Sequence, residues 1–112
     1  MPFIGKSLNA IYAGIHWSVR KKHADEAHSA VAIAVMGIKP FTTPVHLEFQ
    51  PVVKGRGYDV MNYSYSAKLI EDGLVCAGIL EDDTVAYVKQ IAILAPIKTK
   101  AQSSMCVTIT GE

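Results

Sequence analysis

Residues 45–50, Val45-His-Leu-Glu-Phe-Gln50, decide the fold. Their apolar residues alternate with polar ones, which is the period of a strand with one buried face. A strand of this kind needs helices to cover its apolar face. We therefore predict a sheet that contains this strand and has helices packed on one side.

The segments on either side of this strand predict two helices. An apolar stripe predicts the first helix over 18–35, with its first residue, a serine, as the cap. The second is predicted over 62–77, with Gly78 as its stop. Gly73 lies inside the second helix, where glycine costs up to about 1 kcal/mol relative to alanine.

Three further segments are predicted to be extended: 7–15, 84–94 and 104–110. The predicted element order is therefore β-α-β-α-β-β. Such an order is typical of an α+β domain in which helices pack on a small mixed sheet. We predict one domain over 1–112 with this single layer sandwich, because a chain of 112 residues has the size of one domain.

The composition favours a folded cytoplasmic protein. Half of the residues are hydrophobic and 19% are charged, a globular balance. No signal peptide is visible, and the longest mostly apolar stretch, 30–38, is far shorter than the roughly 20 residues of a membrane span. Cys76 and Cys106 have no metal-ligand spacing, so we expect reduced thiols that behave as small buried hydrophobic residues.

The net charge of +1 does not by itself identify a nucleic-acid binder, but the charges are separated along the chain. Basic residues lie in the first quarter and around Asp59, whereas acidic residues concentrate within 71–83. This suits a protein that binds phosphates in one place and a cation in another, although an ordinary mixed surface is the alternative. The residues predicted to contact DNA are Lys6, His16, Trp17, Arg20, Lys21, Lys22, Lys54 and Arg56. For Trp17, a place in the core is the alternative.

The acidic residues within 59–83 predict a metal site. Asp82 and Asp83 are adjacent carboxylates, whose repulsion is relieved by solvent or by a cation. Mg²⁺ binds such hard oxygen ligands, and Lys68 in the second helix would neutralise charge on a phosphate. The helix spans roughly 22 Å, so Asp59 and Asp83 meet only if the chain doubles back or if a second subunit contributes. An acidic surface turn is the alternative.

Taken together, these residues resemble a known family. The chain contains Asp59-Val-Met-Asn62, then Lys68 and Asp72-Gly-Leu, then a glycine and Asp82-Asp83. This pattern resembles the helix signature of the RusA family of Holliday-junction resolvases, which are common in prophages. The likeness extends over nearly the whole chain.

The resemblance implies a homodimer that uses Mg²⁺ or Mn²⁺ to cut four-way DNA junctions symmetrically, in recombination and repair, within a bacterial or phage-infected cell. It implies that Asp59, Asp72, Asp82 and Asp83 bind the metal. It also implies that Asp59, Asp72, Asp83 and Lys68 are catalytic.

One position departs from the family pattern. The second acid of the family's Asp-x-Asp-Asn element is Met61 here, and a thioether does not replace a carboxylate on Mg²⁺. If Asp72 is aligned without a gap instead, Asn62 and Ser64 occupy the two acidic positions. Two other functions therefore stay open: a weak or inactive dimer that binds branched DNA, and a protein-interaction module without a nucleic-acid role.

Overall fold

The computed structural model describes residues 1–112 and confirms an α+β domain with a small mixed sheet. A short 3-10 turn, Val60–Tyr63, leads directly into the third helix. The helices are α1 Leu8–Tyr12, α2 Trp17–Ala34 and α3 Ser64–Cys76, and the strands are β1 Val45–Lys54, β2 Val88–Ile93, β3 Ile97–Thr99 and β4 Ser104–Gly111.

The sheet is organised around β1. Along one edge β1 pairs in parallel with β2 and then with β3, and along the other edge it pairs antiparallel with β4. Pro51, which has no N–H to donate, lies between the part of β1 that pairs with β2 and the part that pairs with β3. The side-chain amide of Gln50 donates to the backbone carbonyl of Ala95 at 2.8 Å and so holds the link between β2 and β3 against β1.

The predicted alternation of β1 is confirmed. Val45, Leu47 and Phe49 are fully buried or nearly so, and they form one core with residues of α2 and α3. Both central helices therefore cover the same face of the sheet, while the intervening residues of β1 point away from the core.

The structure also explains the glycine inside α3. Gly73 is buried, and a Cβ atom built on it would lie 3.0 Å from Cγ2 of Val31 and 3.4 Å from Cδ2 of His28. Both neighbours belong to α2. Glycine lowers the stability of the isolated helix relative to alanine, but only glycine lets α2 and α3 approach this closely.

The first segment differs from the prediction, since 7–15 contains α1 rather than a strand. The Ser7 hydroxyl accepts a hydrogen bond from the N–H of Ala10 at 3.2 Å, as a helix cap does. Leu8 and Ile11 are three residues apart, which is a helical spacing and not the alternation of a strand. The predicted β-first element order is therefore wrong at this position.

Three smaller boundaries also differ. His16, and not Ser18, caps α2. β2 begins at Val88, because the carbonyl of Thr84 accepts from the N–H groups of both Tyr87 and Val88 and so holds the preceding residues in a turn. The segment after β2 was predicted to be only a turn, but it contains the short strand β3.

The two cysteines correct another expectation. Cys76 and Cys106 are both free and exposed, so the prediction that they are buried is wrong. Cys76 is the last residue of α3, and Cys106 lies on the face of β4 away from the core.

Gly73→Ala tests the close approach of α2 and α3. We expect it to lower the free energy of unfolding by up to about 2 kcal/mol, because overpacking costs about 1–3 kcal/mol and the gain in helix propensity returns about 1. Chemical denaturation followed by circular dichroism measures the change.

The control is a double-mutant cycle with Val31→Ala, which makes room for the added methyl group. The two substitutions together should then cost less than the sum of their separate effects. Additive effects, or a Gly73→Ala variant more stable than the parent, would contradict this account of Gly73.

Candidate functional site

Three carboxylates from two segments meet on one side of α3. Glu71 and Asp72 lie on α3, Asp83 lies in the segment before β2, and one oxygen from each lies within 4.8 Å of the others. We call these three residues the acidic cluster. It is assembled within one chain, so no second subunit is needed to bring Asp83 to α3.

The chain reaches this geometry by turning back at the end of α3. Gly78 has a φ of +77°, a left-handed conformation that favours glycine, and the helix ends there as predicted. The N–H groups of Ile79 and Leu80 both bond to the carbonyl of Leu74. The segment that follows therefore runs back along α3 toward Lys68.

Lys68 lies at the centre of the acidic cluster. Its Nζ is 2.8 Å from Asp83 Oδ2, 3.0 Å from Asp72 Oδ1 and 3.7 Å from Glu71 Oε1. The hydrogen bond to Asp83, followed by the one to Asp72, raises the pKa of the ammonium above its ordinary value. Lys68 is therefore a firmly protonated cation that balances the charge of the carboxylates.

The pKa values of Asp83 and Glu71 are shifted in opposite directions. The hydrogen bond from Lys68 lowers the pKa of Asp83 below its ordinary value of 3.8. Glu71 is only 5% exposed, and its burial raises the pKa of the carboxyl above its ordinary value of 4.5 although Lys68 opposes the shift. Asp83 thus holds its charge easily, whereas the charge on Glu71 is costly.

Of the four predicted metal ligands, the structure brings together Asp72 and Asp83. Asp82 is exposed, and its Oδ1 accepts the backbone N–H of Asp83 at 2.8 Å, which stabilises the turn that carries Asp83. Asp59 is exposed at the start of the 3-10 turn. Neither Asp59 nor Asp82 belongs to the acidic cluster.

The member of the cluster that the sequence prediction missed is Glu71. A signal for it was present, since Glu71 directly follows Ile70 and lies one turn before Leu74, among the residues that α3 buries. A carboxylate on the buried side of a helix is rare unless it has a partner. The i, i+3 spacing from Lys68 identifies that partner.

The positions where the resemblance would place acids, Met61, Asn62 and Ser64, lie in the 3-10 turn and at the start of α3. Ser64 is its first residue, and it lies one helical turn before Lys68 and two before Asp72, on the same face. The Asn62 side chain accepts the N–H of Asn9 at 3.0 Å and ties α1 to the 3-10 turn. Met61 is 68% exposed.

The predicted DNA-contacting residues divide into two groups. The first borders two open clefts that share Ile4 and Tyr58, with Lys6 in one cleft and Lys54 and Arg56 in the other. Glu26 also lines the cleft that holds Lys6, so only the cleft with Lys54 and Arg56 is basic. Asp59 directly follows Tyr58 in the chain and so lies beside both clefts.

The second group lies along the first turns of α2, where His16, Trp17, Arg20, Lys21 and Lys22 are all exposed. Trp17 is 69% exposed, so the alternative that it belongs to the core is wrong.

Comparisons of the chain with protein-family models, with curated proteins and with solved structures found no match. None of the helices combines the length and the apolar character that crossing a bilayer requires.

The opposite pKa shifts of Asp83 and Glu71 predict opposite effects of pH on stability in the presence of a chelator. For Asp83, the folded pKa is the lower one, so its charge stabilises the fold at neutral pH and this contribution is lost as pH falls through that pKa. Asp83→Asn should therefore destabilise the protein more near pH 7 than near pH 3. Urea unfolding at each pH measures the difference.

For Glu71, the folded pKa is the higher one, so ionisation costs stability as pH rises through it. Glu71→Gln should therefore become more stable relative to the parent as pH rises above 4.5, the ordinary pKa of the carboxyl. Lys68→Met is the control, since it should remove most of the pH dependence of the Asp83→Asn effect. Equal effects of both carboxylate substitutions at every pH would contradict the assignment.

Proposed function

We propose that this protein is a Mg²⁺-dependent endonuclease that cuts branched DNA such as four-way junctions. The observation that carries the proposal is the acidic cluster with Lys68 at its centre, on the same chain as two groups of exposed basic residues. The resemblance of the segment 59–83 to the RusA signature supports the substrate class. A metal-dependent nuclease needs both parts, a site for a cation and a surface for phosphates.

The donor set of the cluster fits Mg²⁺ or Mn²⁺. All three side chains offer carboxylate oxygens, and one or two carboxylates with waters are the usual protein ligands of Mg²⁺. No histidine or cysteine takes part, so the set does not favour zinc. Glu71, Asp72 and Asp83 would hold the ion, which when bound activates a water and stabilises the leaving oxygen of a phosphodiester.

The protein's own groups would then orient the phosphate. The Lys68 ammonium now balances the carboxylates, and a bound cation would free it to pair with an oxygen of the phosphodiester. Asp82 would keep Asp83 in position through its bond to the backbone N–H of Asp83. Asp59 lies outside the acidic cluster and has no part in metal binding in this proposal.

The symmetry of the substrate gives a reason for a dimer. A four-way junction presents two equivalent strands, and a two-fold dimer presents two equivalent sites to them. We therefore include a homodimer in the proposal, together with a role in recombination and repair in the cytoplasm of a bacterial or phage-infected cell.

Cleavage of a labelled four-way junction tests the proposal. The parent protein in Mg²⁺ should nick the junction symmetrically and leave a linear duplex intact. Asp83→Asn should lower the cleavage rate roughly 100-fold or more, because the site loses several kcal/mol of charge stabilisation. Denaturing gels of strands labelled one at a time report both the rate and the symmetry of the cuts.

Glu48→Gln is the matched control, because Glu48 is an exposed carboxylate on the face of the sheet away from the helices. It should cut at the parent rate. Binding in chelator, measured by anisotropy, should be kept by both variants. Intact junctions with the parent protein, or equal rates for Asp83→Asn and the parent, would overturn the catalytic proposal.

A second function, binding of branched DNA without cutting, is favoured by one observation. Ser64, Lys68 and Asp72 share one face of α3, so the alignment without a gap places a serine where the family has an acid beside the lysine. In that case Lys68 neutralises Asp72 and Asp83 without a metal ion, and the basic residues bind the junction without cutting it.

Ser64→Asp separates the two functions. It adds a carboxylate one turn from Lys68, and under the binding-only function it should create or greatly increase Mg²⁺-dependent cleavage. Met61→Asp is the comparison, since it restores the acid of the other alignment at an exposed position. If the parent protein cuts well and Ser64→Asp adds nothing, the binding-only function is excluded.

A further inference from the structure

Two large aromatic side chains are exposed where α1 meets α2. Tyr12 ends α1 and is 79% exposed, and Trp17 begins α2 and is 69% exposed. Aromatic rings of this size usually bury most of their surface, in a core or at an interface. Neither ring belongs to the core or to the partly buried residues packed against it.

The ring of Trp17 is supported by its neighbour. The His16 ring lies with its centroid 5.6 Å from that of Trp17, at an interplanar angle of 34°. Nδ1 of His16 accepts the N–H of Ser18 at 3.2 Å and lies 2.7 Å from its hydroxyl. Because His16 also caps α2, the local backbone fixes the ring that backs Trp17 while most of the indole stays open.

The charged residues that directly follow Trp17 in α2 are basic. Arg20, Lys21 and Lys22 follow Trp17 within about one turn, and the first turn of α2 contains no acidic residue. Lys21 pairs with Asp25 at 3.0 Å, whereas Arg20 and Lys22 make no ion pair. Exposed aromatic rings next to unpaired cations complement a nucleic-acid strand, whose bases stack and whose phosphates are anionic.

We propose that Trp17 stacks on an unpaired or unstacked base, with Arg20, three residues further along the same face of α2, on the adjoining phosphate. The ligand is thus a single-stranded segment or the opened centre of branched DNA, and not intact duplex, whose base faces are covered by their neighbours. This inference rests on the proposed function for its choice of DNA. It adds that the surface at α2 selects DNA by its unpaired bases.

The position of this surface suits that role. The Asn9–Asn62 hydrogen bond docks α1 onto the 3-10 turn that runs into α3. His23 on α2 contacts the hydroxyl of Tyr65 at 3.0 Å, so the first turns of α2 lie beside the first turns of α3. Trp17 therefore lies at the end of the helix pair where α3 begins.

The intrinsic fluorescence of the protein provides the test, because Trp17 is its only tryptophan. The parent protein is titrated in chelator with a single-stranded thymidine oligonucleotide, a four-way junction and a blunt duplex. Anisotropy of labelled copies of the same DNA measures binding independently. We expect quenching by the oligonucleotide and the junction at the concentrations where they bind, and little or none by the duplex.

Substitutions make the test specific. Trp17→Ala should weaken binding of the oligonucleotide by about 5- to 100-fold, whereas Trp17→Phe should keep most of the affinity, because stacking needs only a ring. Ile33→Ala is the control for loss of exposed apolar surface, since Ile33 is 72% exposed near the other end of α2. Its affinity for DNA should match that of the parent.

The possible results separate this inference from the proposed function. Junction binding without quenching, or with equal affinity for Trp17→Ala, overturns the stacking role and leaves the nuclease proposal standing. Quenching and binding without any cleavage in Mg²⁺ support the stacking role and overturn the nuclease. Absence of binding to all three DNAs overturns both.

Discussion

The buried face of β1 is the constraint on which the rest of the structure depends. β1 alone pairs with every other strand, and its alternating apolar residues form one side of the core. α3 packs on these residues through side chains such as Ile70 and Leu74, and it approaches α2 closely because residue 73 is a glycine. Once these contacts fix the rotation of α3, the side of the helix that carries Lys68 and Asp72 must face outward.

The acidic cluster follows from this rotation and from the turn after α3. The left-handed Gly78 reverses the chain, and hydrogen bonds to the carbonyl of Leu74 hold the returning segment against the helix. Asp83 is thereby carried back to Lys68, which lies about two turns before the end of α3. Three carboxylates at this distance repel one another, and the protonated Lys68 offsets that repulsion. The arrangement concentrates negative charge at one place, with the ammonium of Lys68 as its counterion.

Much of the acidic cluster could be predicted from the sequence. The features that could not be predicted depend on which residues are buried by neighbouring segments. Lys68 and Asp72 are one turn apart on a helix with a clear apolar period, so their contact follows from local spacing. The sequence also indicated that Asp83 could return to the helix within one chain only if the chain reverses after it. The left-handed turn at Gly78 provides this reversal. Glu71 was missed because it lies at the edge of the buried face, where burial depends on the neighbouring segment. The exposure of Trp17 was equally undecidable, since a tryptophan at a helix start suits a core as well as a surface.

The sequence by itself determined the central strand, the two long helices, the stop at Gly78 and the separation of basic from acidic residues. These features depend on periodicity and on backbone preferences that act over a few residues. The grouping of the acids depended on packing in three dimensions, which joined Asp83 to Glu71 and Asp72 and left Asp59 and Asp82 outside the cluster. The physical reason is that electrostatic partners are set by distances in space, and those distances are fixed by how helices and strands pack rather than by their spacing along the chain.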